Sequence, residues 1–195
     1  MSDYIEEMPH DEMVKNYFEG KILLGVEPAA ARKFIMSISS QSPNNSFYIV
    51  TSMLMSNDNI IALKKAKIFI NIVFSLSLVT LFAFIIISIV NFKWIGIVID
   101  IVFIVALIIY SSYVSMGKQT LSRIVIVTIL CFLIAFYTKN INDFLFYFIM
   151  PLPFLFTRLS YYFSVSFIRN LALKDQGFYI KALNRIIFLK KVKQT

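Results

Sequence analysis

The sequence predicts an all-α membrane protein: a bundle of four transmembrane helices, preceded by a small α+β cytosolic domain and followed by a basic amphipathic helix. Three observations carry this. Of the 195 residues, 58% are hydrophobic and only 15% are charged, against about 45–50% and about 25% in an ordinary soluble domain. Mean hydropathy is +0.76, and lipid can solvate that much apolar surface where a water-soluble fold cannot hide it. Four apolar stretches reach or approach the roughly 20 residues that a helix needs to cross a hydrocarbon core of about 30 Å.

Residues 1–63 read as the cytosolic domain. Asp11 to Phe18 has helical character, with acids at its positive end and Gly20 as a stop. Lys21 to Val26 is a short apolar run that suits a strand. Pro28 opens a helix through Ala29, Ala30 and Ala31 to about Ile38, because proline is pre-organised for the first helical position. Ser42 to Asn45 is a turn and Phe47 to Leu54 a β-rich run. A rival reading pairs Phe34 to Ser39 with Phe47 to Leu54 as a hairpin. Asn57 or Asp58 then caps a helix that runs into the first span. About 60 residues make a marginal domain, so Phe34 and Ile38 are expected to dock on a sister subunit or a partner protein. The alternative is packing within the domain and on the membrane face.

Residues 64–168 hold the spans. The first, Ile68 to Phe92, carries no charge. The second, Trp94 to Val114, is interrupted by Asp100. The third, Ile124 to Thr138, is short, borrows Leu121, and needs a thinned bilayer or snorkelling flanks. The fourth, Phe144 to Ile168, contains Pro151, Pro153 and Arg158, and the two prolines should kink it. The connections are Asn91 to Lys93, Ser115 to Arg123 with Gly117 as a turn residue, and Lys139 to Asp143. Such short loops force antiparallel neighbours. One side of the bundle holds twelve flanking bases and the other only Lys93 and Lys139, which puts both termini in the cytoplasm.

Residues 169–195 are the basic tail. From Leu171 to Val192 it mixes Phe178, Leu183, Ile186 and Leu189 with Lys181, Arg185, Lys190 and Lys191. A helix of this kind lies among lipid headgroups with its bases towards phosphate, or its apolar face receives a partner. Lys181 and Arg185 are the docking candidates here.

Charge is divided along the chain. Up to Leu63 there are 8 acids and 4 bases; beyond it there are 15 bases and 3 acids. The basic part fits topology and attraction to anionic lipid and needs no direct nucleic-acid contact. The amino terminus has no positive start followed by an apolar stretch, so it is expected to stay on the side where it is made. A single cysteine, Cys131, and a single histidine, His10, leave no intrachain disulfide, no His/Cys metal cluster and no common nucleophile–base pair. The Gly-rich phosphate loops of nucleotide enzymes are missing too. No catalytic site and no cofactor is implied. His10-Asp11-Glu12 fits a helix start better than a metal site.

Asp100 and Arg158 are the residues of interest, because ionisable groups within spans are costly and mark function or pairing. Counting about 1.5 Å per residue from the outer boundary puts Asp100 roughly 9 Å deep and Arg158 roughly 21 Å deep. That offset is too large for a pair on straight helices unless Pro151 and Pro153 move Arg158. Asp100 either faces a polar centre or oligomer axis with Arg158 neutralising it, or each snorkels to its own headgroups. Ser160 and Ser164, four apart, permit close helix approach.

Compact spans, short outer loops, an acidic head and a basic tail resemble the four-span membrane subunit of the Kiwa anti-phage defence system. The resemblance rests on span number, length and topology. It implies a cytosolic partner protein that itself binds DNA. The expected function is a non-enzymatic bacterial inner-membrane protein that self-associates and docks a cytosolic partner. The alternatives are immunity against a pore-forming toxin and a small oligomeric channel with Asp100 around its axis.

Overall fold

Helix accounts for most of the computed structural model, which describes residues 8–37, 57–116, 121–183 and 188–192. The elements are α1 (His10–Phe18), β1 (Ile22–Val26), α2 (Pro28–Ser37), α3 (Asn57–Phe92), α4 (Trp94–Ser115), α5 (Leu121–Tyr137), α6 (Ile141–Ile149), α7 (Leu152–Lys174), α8 (Gln176–Leu183) and β2 (Phe188–Val192). They form two compact units. One is Met1–Phe69 together with Phe163–Thr195; the other is Ile70–Tyr162.

The first unit joins the two ends of the chain. Asp11 and Glu12 lie in the first turn of α1, where carboxylates offset the positive helix end. Gly20 ends that segment at φ 71°, a left-handed conformation that costs glycine nothing. β1 pairs antiparallel with β2, Ile22 opposite Val192 and Val26 opposite Phe188. The tail is therefore not one amphipathic helix from Leu171 to Val192. α7 ends at Lys174, the Asp175 carboxylate accepts the Phe178 amide at 2.9 Å to start α8, and Phe188–Val192 forms a strand. The physical reason is that β1 needs a ladder for its backbone groups, and Phe188–Val192 supplies it.

The core of this unit is drawn from both ends: Met13, Leu24, Ala31, Ile35, Leu63, Ile168, Ala172 and Phe178 are buried. Phe34 meets Phe178 edge-on with centroids 5.5 Å apart. Two polar links cross between head and tail. The Tyr179 hydroxyl donates to the Met8 carbonyl at 3.1 Å. His10 Nε2 lies 3.0 Å from the Ala172 carbonyl; a carbonyl only accepts, so this nitrogen carries the proton. Phe34 is helical, which removes the hairpin reading of Phe34 to Ser39. The Phe47 to Leu54 run, the Ser42 to Asn45 turn and Gly117 lie outside the described residues.

In the second unit α4 folds back along α3. Lys93 makes the turn at φ 53°, and the Gly96 amide donates to the Lys93 carbonyl at 3.0 Å. One aromatic series packs the helices. Phe84 stacks on Phe103 at 4.1 Å and touches Phe146 at 5.2 Å; Phe103 and Tyr110 both meet Phe154. α5 and α6 are joined by Phe132 stacking on Phe148 at 4.6 Å. The remaining faces of α3, α4 and α5 are apolar and exposed, including Phe82, Ile86, Val102, Ile126 and Leu133. Three helical stretches are long and apolar enough to cross a membrane, Ile61–Phe92, Trp94–Ser115 and Ile141–Lys174, while Ser122–Tyr137 is shorter. The predicted kink falls where the prolines are. α6 stops at Ile149 and α7 begins at Leu152, since Pro151 and Pro153 lack the amide protons a continuous helix would use.

Candidate functional site

Polar groups buried in the helical unit form three clusters. The first lies in the α3–α4 hairpin. Asp100 is only 5% exposed, and both carboxylate oxygens are buried with no hydrogen-bond partner. Four residues earlier on the same helix face stands Gly96. The Ser88 hydroxyl of α3 donates to the Gly96 carbonyl at 3.3 Å. A Cβ at position 96 would lie 2.5 Å from the Ser88 carbonyl oxygen, so glycine is what lets the two backbones meet. An uncompensated buried carboxylate costs several kcal/mol, and its environment must supply something in return.

The second cluster is Tyr110 and Arg158. They interact electrostatically, and the Tyr110 hydroxyl is buried without a hydrogen-bond partner. Tyr110 is ten residues beyond Asp100 on α4, or about 15 Å along the axis. Arg158 thus sits near the level that simple counting gives it, and the prolines do not carry it up to Asp100. Asp100 and Arg158 form no ion pair.

The third cluster ties α3 to the proline break. The Ser77 hydroxyl contacts the Pro153 carbonyl and the Thr157 hydroxyl, each at 2.9 Å. Side-chain hydroxyls commonly satisfy backbone freed by proline in apolar surroundings. Ser160 and Ser164 are fully buried on α7, in keeping with close helix approach.

The docking candidates fare differently. Phe34 is covered by Phe178 and only 7% exposed, so it is a core residue and offers no partner surface; the tail provides the cover that the head lacks. Lys181 belongs to α8, its side chain lying outside the described residues, as do Ile38 and Arg185. What the head exposes is mostly polar, Asp11, Glu12, Lys15, Lys21 and Lys33, with Lys21 paired to Glu19; Phe18 is its exposed aromatic residue. Among the described residues no group of three or more His, Cys, Asp or Glu is placed to hold a metal ion.

Sequence reasoning singled out Asp100, Arg158 and the prolines but missed Ser77, Ser88, Gly96, Tyr110 and Thr157. Gly96 was the available signal, as a glycine two residues into an apolar helix behind a three-residue turn. Fold and site together define a mostly helical protein with three helices long and apolar enough to cross a membrane. Family models, curated proteins and solved structures give no match to the chain.

Proposed function

We propose that the chain is a non-enzymatic protein of the bacterial inner membrane that crosses it four times, self-associates and docks a cytosolic protein, as the membrane-sensing subunit of an anti-phage defence system. The observation that carries this reading is the pairing of β1 with β2. Strands that pair lie on one side of a membrane, and an even number of crossings is what returns the chain to the side it left. α3, α4 and the broken α6–α7 make three passages, and α5 supplies the fourth. Its 17 residues span about 26 Å, which a slightly thinned bilayer accommodates. The twelve-to-two distribution of flanking bases puts the paired ends in the cytoplasm.

On this reading the head–tail unit is a folded platform at the inner surface. α3 and α7 each contribute residues to its core, Leu63 and Ile168 among them. Cross-linked affinity recovery from native cells in mild detergent tests it. A stoichiometric soluble protein linked to Lys15, Lys21 or Lys33 is the expected result. Recovery of the chain linked only to itself overturns docking.

Immunity against a pore-forming toxin is the second reading. It is favoured by the bond from Asn91 Nδ2 to the Asn142 carbonyl at 3.2 Å, which joins the two outer turns into one surface. Exchanging Lys139 to Asp143 would then change toxin protection. The channel reading is weaker, because burial of Asp100 within one chain counts against a ring of Asp100 around an oligomer axis.

A further inference from the structure

We infer that Asp100 is a proton-binding site that locks the α3–α4 hairpin, its carboxyl donating to Ser88. The inference rests on the reading of the helical unit as the membrane part, and it adds the ligand of its buried site: a single proton.

The donor and acceptor inventory carries it. A carboxylate only accepts, and the Ser88 hydroxyl has one proton, which it gives to the Gly96 carbonyl. With a bare carboxylate that one proton serves either Gly96 or Asp100, so at least one buried Asp100 oxygen stays orphaned; with Ser88 turned to Gly96, both do. A protonated carboxyl reverses this. Its O–H donates to the Ser88 oxygen, Ser88 donates to the Gly96 carbonyl, and the chain of donors closes. Side chains on a helix lean towards its N-terminus, which aims Asp100 back over Gly96 and its missing side chain.

A metal cation fits this place poorly. Hard cations take about six or more oxygen ligands, and the hairpin offers a carboxylate, one hydroxyl and a carbonyl already receiving Ser88. The backbones meet too closely at Gly96 to admit more, and stacked Phe84 and Phe103 lie one turn further on. A proton needs no volume. Nor does a fixed base replace it. Along the helices of this unit the titratable side chains are Tyr110 and Tyr113 on α4, Arg123, Cys131 and Tyr137 on α5, Asp143 and Tyr147 on α6, and Arg158, Tyr161 and Tyr162 on α7. Arg158, the one base of α7 that falls within this unit, has Tyr110 for its electrostatic neighbour. α3 contributes none between Ile70 and Phe92.

Infrared spectroscopy of the full chain in proteoliposomes tests this. The wild type should show the carbonyl band of a protonated carboxylic acid, absent from Asp100→Asn and displaced in Ser88→Ala. Asp100→Asn keeps a donor for Ser88 and should unfold within about 3 °C of wild type, whereas Ser88→Ala should lower the midpoint by about 2–6 °C. A wild-type spectrum without the acid band, or a band indifferent to Ser88→Ala, overturns the site. Partner recovery is scored separately. Its loss with the acid band intact rejects docking and leaves the lock standing; the converse rejects the lock alone.

Discussion

The Phe34 ring of the head meets the Phe178 ring of the tail edge-on, at 5.5 Å and 90°. One contact thus joins residues 144 positions apart in sequence, and it explains how a head of marginal size acquires a core. Removing the tail's half should open the unit. Phe178→Ala is expected to destabilise it by about 3–5 kcal/mol, the range for a buried aromatic truncated to alanine. Limited proteolysis in detergent should then cut the head well before the helices.

Tyr179 gives the same interface a pH dependence. Its hydroxyl donates to Met8, and burial pushes its pKa above the ordinary tyrosine value of 10.0. A phenolate cannot donate. The contribution of this bond is complete below about pH 10 and is lost as pH rises through the higher folded value. Tyr179→Phe should cost about 1 kcal/mol at neutral pH and flatten the alkaline loss of stability, read by thermal melts between neutral and strongly alkaline buffer.

The α3–α4 turn offers a pair of opposite effects. Gly96→Ala places a methyl against the Ser88 carbonyl and should destabilise by about 1–3 kcal/mol, as overpacking does. Lys93 is a non-glycine residue at φ 53°. Lys93→Gly relieves that conformation and should stabilise by up to about 1 kcal/mol. Thermal unfolding of both variants in one detergent checks the sign of each.

Topology is open to direct labelling. In a Cys131→Ser background, Lys93→Cys and Lys139→Cys should react with an impermeant thiol reagent added outside intact cells. Lys15→Cys and Lys174→Cys should react only after the membrane is opened. Labelling of Lys174→Cys from outside, with Lys15→Cys protected, would mean an odd number of crossings and would contradict the β1–β2 pairing.

Much of the helical unit was legible along the chain. An apolar run has to be long to cross lipid, and α3 and α4 end within two residues of where their runs end. The break between α6 and α7 was legible because proline has no amide proton to give. The tail was not. Phe188–Val192 reads apolar, apolar, basic, basic, apolar, which lacks the alternation of a strand, and only the open backbone groups of β1 draw it into one. The same holds at the site. Asp100 stands out in sequence because a charge in an apolar run is costly, while Ser88 and Gly96 look ordinary until the hairpin brings their backbones together.

By itself, then, the sequence determined the long apolar helices, the break at the prolines and the flanks in which bases accumulate, since each follows from local chemistry and helix rise. Only the tertiary structure decided that head and tail share one core, that Phe34 is covered by Phe178, that Arg158 lies by Tyr110 and away from Asp100, and that Asp100 is buried with neither oxygen paired. These are pairings between distant residues, and their energies depend on what each group meets after the chain has folded back on itself.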